Sequence, residues 1–197
     1  MSSLCRSLLA ILFLSLPSLA GPPVQGIKNF HEVDGHVYRG AQPTTEGFSY
    51  LAKIGIKTIV DLRENGSRSS REAKLVTSLG MRYVNVPMSG LVPPTKPQIA
   101  RILALLEDPD SGAVFVHCRF GEDRTGSVIA AYRIDHDHWD NARALKEARD
   151  CGMGFYQIPR QNYIRHFQPL TAKDRAATTN DLSWLFLTLT ALASVSP

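Results

Sequence analysis

No run of basic residues, and no alternation of basic with aromatic residues, occurs anywhere in this chain. Lys and Arg number 22 against 18 Asp and Glu, a net charge of +4. That excess suits an anionic small partner and is too small to argue nucleic-acid binding. No apolar run reaches the roughly 20 residues that a helical membrane span needs. The two candidate apolar stretches, Leu8 to Leu14 and Leu182 to Val195, both fall short. Internal repeats and low-complexity linkers are absent as well, so 197 residues with 44% hydrophobic content imply one globular domain. Cysteine is scarce, at three: Cys5, Cys118 and Cys151.

What is present concentrates in ten residues, His117-Cys118-Arg119-Phe120-Gly121-Glu122-Asp123-Arg124-Thr125-Gly126. An apolar run, Ala113 to Val116, leads in, and a helical stretch, Ser127 to Tyr132, leads out. The pattern predicts strand, tight loop, helix. Such a loop points backbone N–H groups and the positive end of the helix dipole at one spot, where an anion binds. A thiol placed there gives up its proton readily. Arg124 adds a planar fork of donors able to hold two phosphate oxygens at once.

The Cys-x5-Arg loop, flanked by His117 and by Thr125-Gly126, resembles the signature of the protein tyrosine and dual-specificity phosphatases. Val37 to Pro43 and Gly55 to Arg63 resemble the opening strands of their compact bacterial, fungal and plant members. Tyr132 to Ile134, Trp139 and Ala142 to Met153 resemble the helices that follow the loop. The likeness covers about His31 to Phe167.

The rest of the chain alternates strands with helices. Lys57 to Leu62, Arg82 to Val86 and Ala113 to His117 read as strands. Thr45 to Lys53 reads as a helix capped by Thr44, Ser70 to Ser78 as a second closed by Gly80, and Lys96 to Glu107 as a third capped by Thr95. Asp140 to Asp150 is a further helix, stopped at Gly152. This predicts a single α/β domain, a mostly parallel sheet with helices on both faces. Ligands of such sheets bind beyond the carboxyl ends of the strands. Cys118, Asp61 and Arg63 each follow a strand, so all three are expected at one cleft, and Asp108 and Asp110 at the opposite end.

The resemblance implies the chemistry. Cys118 attacks phosphorus to give a phosphocysteine, and water then releases phosphate. Arg124 and the N–H groups of Arg119, Phe120, Gly121, Glu122 and Asp123 hold the phosphate oxygens. Thr125 donates to the departing sulfur, and His117, with Asp61 and Arg63 in support, orients the loop. No metal and no cofactor is needed. One part of the family pattern is missing. The stretch Val86 to Pro93, where an aspartate general acid is usual, has no carboxylate. Asp123 resembles the aspartate of a Cys-x4-Asp-Arg variant and is the first substitute, followed by Glu122 and Asp61. Asp123 has an alternative role as a loop-stabilising partner for Arg39 or another base.

Glu122 and Asp123 make the loop less positive than those of inositol phosphatases, while Arg119, Arg63 and Lys96 remain available to extra phosphates. Phosphotyrosine or another aryl phosphate is therefore the first expectation for substrate, inositol or lipid phosphate the second. The partner is a phosphorylated protein or a small phosphate ester. A phosphate-binding protein without turnover, and a thiol redox or sulfur-transfer protein, are the readings from other classes.

The ends suggest processing. Arg6, the apolar stretch Leu8 to Leu14 and the small residues Ser18-Leu19-Ala20 form a signal-peptide pattern with cleavage after Ala20, an uncleaved anchor being the alternative. The expected layout is a leader over 1–20, a phosphatase domain over 21–172, and a tail over 173–197 with a short apolar segment that packs or lies at an interface. Export to a periplasm or the exterior would leave Cys118 and Cys151. A disulfide between them would silence the nucleophile, so Cys151 reads as a small buried filler. His136 and His138 read as solvated rather than metal-binding.

Overall fold

The computed structural model describes residue 24 and residues 26–176. The expected leader over residues 1–20, Cys5 and the stretch Leu182 to Val195 lie outside the described residues.

Five strands form one sheet: β1 (His31–Glu32), β2 (Val37–Ala41), β3 (Ile56–Asp61), β4 (Arg82–Asn85) and β5 (Ala113–Cys118). Their spatial order is β1-β2-β5-β3-β4. All pairings are parallel except the short β1–β2 edge. The assigned α-helices among the described residues are α1 (Thr45–Lys53), α2 (Ser67–Ser78) and α3 (Lys96–Glu107), which connect strands, and α4 (Asp123–Asp135), α5 (Asn141–Asp150) and α6 (Ile158–His166), which follow β5. A one-turn 3-10 helix, Pro109–Ser111, precedes β5.

Right-handed crossovers place the helices. The chain steps outward from β2 to β3 to β4 through α1 and α2, then returns from β4 to β5 through α3. Reversing the direction of travel moves the helix to the other face. Phe48 and Leu51 of α1 and Val76 of α2 accordingly pack with Ile59 and Phe115 on one side. Ile99 and Leu103 of α3, Val128 and Ile129 of α4, Ala144 of α5 and Ile164 of α6 pack with Val114 and Val116 on the other. Burying each large aliphatic or aromatic side chain contributes about 1.5–3 kcal/mol, so these two layers supply most of the driving force.

Helix starts follow local chemistry. The Thr44 hydroxyl accepts from the Gly47 N–H at 3.3 Å, and the Asp140 carboxylate accepts from the Arg143 N–H at 2.8 Å. Thr95 and Gln98 form a reciprocal capping box. The second helix starts at Ser67, three residues earlier than its apolar pattern indicated. Its first turn is all polar, and it is secured by Ser69, whose hydroxyl accepts from the Gly66 N–H at 2.9 Å.

Strand alternation then fixes the site. Successive side chains of β5 point to opposite faces. Cys118 lies with Val114 and Val116 on the α3–α6 side, and His117 lies on the α1–α2 side, stacked 5.8 Å from Phe115 and edge-on to Phe48.

Candidate active site

The loop between β5 and α4 is shaped from beneath. Gly121 has φ +72°, and a Cβ there would meet the carbonyl carbon of Gly40 at 2.4 Å. Only glycine lets the loop lie this close to β2. The buried Arg39 donates to the Gly121 carbonyl at 2.7 Å. The Asn29 amide donates to the same carbonyl at 3.0 Å and to that of Cys151 at 2.8 Å.

Above this support is a cavity of about 420 Å³ lined by Gly90, Cys118, Arg119, Phe120, Glu122, Asp123, Arg124 and Tyr156. Cys118 forms its floor and is only 3% exposed. Burial by itself would push the thiol pKa up. The Thr125 hydroxyl and N–H, the Arg124 charge and the Phe120 N–H outweigh it and hold the thiol below its ordinary value. Among the described residues the buried Thr125 hydroxyl makes no conventional hydrogen bond elsewhere, which leaves it to act on the sulfur. Helix α4 begins at Asp123, so its unsatisfied N–H groups face the same cavity.

Asp61 and Arg63 are not in this cleft, contrary to the expectation from their strand-end positions. Asp61 pairs in register with His117 across the β3–β5 ladder, so both side chains leave the sheet on the α1–α2 face, away from Cys118. There Arg63 donates to Asp61 through Nε at 2.9 Å and through Nη2 at 2.7 Å, and to Glu72 at 2.6 Å. Tyr83 donates to Asp61 at 2.7 Å, and His117 lies 2.8 Å from the Glu72 carboxylate. Burial pushes the His117 pKa down, but Glu72 and then Asp61 raise it above the ordinary histidine value. Burial also pushes Asp61 up, and Arg63, His117 and Tyr83 bring it below the ordinary carboxylate range. Asp61, Glu72 and His117 have donor atoms within 4.8 Å of one another, a metal-like spacing. The Arg63 guanidinium already bridges both carboxylates, so the donor set fits an ion-pair network rather than a metal. This network is a pedestal under the nucleophile's strand.

The remaining candidates divide. Asp123 lines the cavity, yet both its oxygens are engaged, one by the Gly154 N–H at 3.0 Å and the other by the Gln157 amide at 3.1 Å. Its partner is thus the loop before α6, not Arg39. Glu122 also lines the cavity, and its carboxylate has no hydrogen bond or ion pair among the described residues. Burial, and then the Asp123 charge, raise its pKa above the ordinary range. Lys96, expected to be open to an extra phosphate, is paired with Asp174 at 3.0 Å. Arg119 remains on the cavity wall, its guanidinium 4.9 Å from the Phe120 ring centroid. Cys151 is a free, partly buried thiol at the end of α5. His136 is paired with Asp137 at 2.8 Å.

Sequence reasoning missed Glu72, Tyr83, Tyr156 and Arg160. None lies near the Cys-x5-Arg motif in the chain: Tyr156 lines the cavity and Arg160 lies behind it, while Glu72 and Tyr83 belong to the network under the sheet. The one available signal was Glu72 as an acidic position on the inner face of α2, where Val76 is buried one turn later.

Comparison with known proteins identifies the family. Dual specificity protein phosphatase TpbA of Pseudomonas aeruginosa is 27% identical over 130 residues, 64% of this chain and 56% of that protein. Dual specificity protein phosphatase CDC14A of Mus musculus is 30% identical over 121 residues, 61% of this chain and 19% of that protein. The match thus spans just over half of the first relative and about a fifth of the second. The core catalytic domain of the PP-IP phosphatase SIW14 from S. cerevisiae has the same fold, with TM-score 0.67 and 23% identity over 81% of this chain and 96% of that one. Residues 24–166 match the family described as "DSP-PTPase phosphatase fused to NAD+ Kinase", and with its thiol, loop and arginine gathered at one strand end the chain belongs to this family of dual-specificity-type phosphatases.

Proposed function

We propose that this protein hydrolyses phosphate monoesters through a phosphocysteine on Cys118, and that aryl phosphates, phosphotyrosine in proteins above all, are its substrate class. One observation carries the reading. A thiol with a lowered pKa lies at the floor of a 420 Å³ cavity, facing Arg124 and walled by the rings of Phe120 and Tyr156. Phe120 and Tyr156 are 56% and 66% exposed, and Phe155, packed edge-on against Tyr156, is 86% exposed. Leu91, which follows Gly90 at the wall, is 82% exposed. An apolar rim of this kind favours an aromatic ester. Two carboxylates at the mouth, and the pairing of Arg63 and Lys96, disfavour a polyphosphate.

The thiolate attacks phosphorus, the bond to the ester oxygen breaks, and that oxygen takes a proton. Arg124 and the loop N–H groups hold the three non-bridging oxygens throughout. Of the two carboxyl groups at the cavity, Glu122 is free and retains a proton more readily, whereas Asp123 is committed to Gly154 and Gln157. Glu122 therefore replaces Asp123 as the proposed proton donor. In the second step water attacks phosphorus, its proton passes to the Glu122 carboxylate, and the S–P bond breaks. The Thr125 hydroxyl steadies the departing sulfur.

The test is hydrolysis of para-nitrophenyl phosphate and a phosphotyrosine peptide without added metal, with vanadate as inhibitor. Cys118→Ser should abolish turnover and keep phosphate binding. Full activity in that variant overturns the mechanism. Phosphate binding without turnover in the native protein would instead mark a phosphate-binding protein.

A further inference from the structure

Two poorly accommodated charges near the site lie outside the motif: Arg39, which supports the loop from beneath, and Arg160. Arg160, in the first turn of α6, is 0% exposed. Its Nη2 donates to the Ser89 carbonyl at 2.5 Å. Its Nε and Nη1 are also buried, and neither has an acceptor among the described residues. Burial pushes its pKa down. The negative charges of Asp123 and Cys118 draw it back up, and Arg124 opposes them. A guanidinium stripped of water keeps its proton at any ordinary pH, so this position retains an under-compensated positive charge. Such a charge is costly to bury unless an anion answers it.

The geometry shows where that anion belongs. Arg124 donates to the Met88 carbonyl at 3.4 Å, and Arg160 to the next carbonyl, Ser89. Two guanidiniums, one from α4 and one from α6, thus hang on consecutive carbonyls of the segment whose Gly90 lines the cavity. Asp123 ties the first turn of α4 to the loop that leads into α6 through Gly154 and Gln157. The phosphate loop, the 88–90 segment and α6 are one joined unit.

We propose that Arg160 is a positioning residue of the phosphate site, a second cation behind Arg124 that attracts the bound dianion without touching it and holds the 88–90 wall against the cavity. In this arrangement Arg124 and Arg160 together offer two positive charges to a doubly negative phosphoryl group. The inference rests on the phosphatase reading for the identity of its ligand, but its measurement does not require turnover.

The experiment compares the full chain with its Arg160→Met and Arg160→Lys variants, using inorganic phosphate titrated calorimetrically and iodoacetamide alkylation of Cys118 as a function of pH. The charged groups around the thiol are Arg124, Arg160, Asp123, Glu122, Arg119 on the cavity wall and Arg39 from β2, and only Arg160 is altered. For Arg160→Met, phosphate affinity should fall about tenfold, as removal of one nearby buried charge predicts, with the loss shrinking in high salt. The midpoint for Cys118 alkylation should move to higher pH. Arg160→Lys should stay within about threefold of the native affinity, because the Asp123 and Cys118 charges favour a cation at this position and the attraction depends on charge rather than on a bidentate contact. An Arg160→Met variant with native affinity and native alkylation midpoint overturns the proposal, as does a Lys variant as weak as the Met one. Should Arg160→Met not fold, the Lys variant decides alone, with affinity within threefold supporting the proposal and a tenfold loss overturning it. Aryl phosphate hydrolysis run in parallel keeps the two ideas apart. Native turnover with unchanged Arg160 variants sinks only this inference, and phosphate binding that depends on Arg160 without any turnover sinks only the phosphatase reading.

Discussion

Glu122 and Asp123 are adjacent in sequence, and the difference between them is what each oxygen touches. Asp123 accepts from a backbone N–H and a side-chain amide on another loop, so it works as a fastener. Glu122 has no such donors, and burial raises its pKa. If Glu122 protonates the leaving group, Glu122→Gln should slow alkyl phosphates about a hundredfold, in line with the usual worth of general acid catalysis, and para-nitrophenyl phosphate far less. A nitrophenolate leaves without help, whereas an alkoxide does not. The basic limb of the pH–rate profile should flatten in the same variant, because that limb reports loss of the acid's proton. Asp123→Asn should lower the rate equally on both ester types and lower thermal stability. The reverse pattern between the two variants would return the role to Asp123.

Among the elements, the phosphate loop is the one whose conformation has no slack. Gly121 combines a left-handed backbone with a 2.4 Å approach to backbone atoms of β2, which have no flexible end to move aside. An Ala here adds the left-handed cost of about 1–2 kcal/mol to a steric displacement of the loop. Gly121→Ala should therefore lower the melting temperature by several degrees, as expected of a loss of roughly 2 kcal/mol in a chain of this size. Phosphate affinity should fall with it, since the N–H groups would no longer converge. Calorimetry and phosphate titration of the one variant check both. An unchanged affinity would mean that the loop does not need its contact with β2.

The ion network under the sheet is a property of the whole molecule, because it joins β3, β5, α2 and β4 through Asp61, His117, Glu72 and Tyr83. His117 has a raised folded-state pKa, so its contribution is complete below the unfolded value of about 6.5 and is lost as pH rises through the folded value. Asp61 has a lowered one, so its contribution is complete above about 3.9 and is lost as pH falls through the folded value. Stability should therefore be greatest from about pH 4 to 6.5 as far as these groups decide it. Glu72→Gln leaves His117 and Arg63 under-compensated in the interior, at a cost of about 3–5 kcal/mol. The decline in melting temperature between pH 6.5 and 9 should be shallower in this variant than in the native chain, as followed by circular dichroism. A parallel decline in the two proteins would mean that His117 does not carry the pH dependence.

The sequence alone determined most of what depends on near neighbours in the chain, the start of α2 excepted. Cys118, Arg124 and Thr125 could be read because one turn of loop and the start of one helix bring them together, and this local geometry is set by the glycine and the apolar flanks. The helices capped by Thr44 and Thr95 were legible for the same reason, since a cap acts within four residues of itself. Asp61 shows where that kind of reading stops. Its place at a strand end was correct, but the ladder register with His117 turned its side chain to the other face of the sheet. Only the tertiary structure decided which carboxylate keeps a free oxygen at the cavity. It alone placed Glu72 beneath His117, and it alone brought Arg160 behind Arg124 with two donors unanswered. The physical reason is that burial, partner choice and facing direction arise where separate elements meet. Residues 36 positions apart in the chain, as Met88 and Arg124 are, share a site only once the sheet order has folded them together.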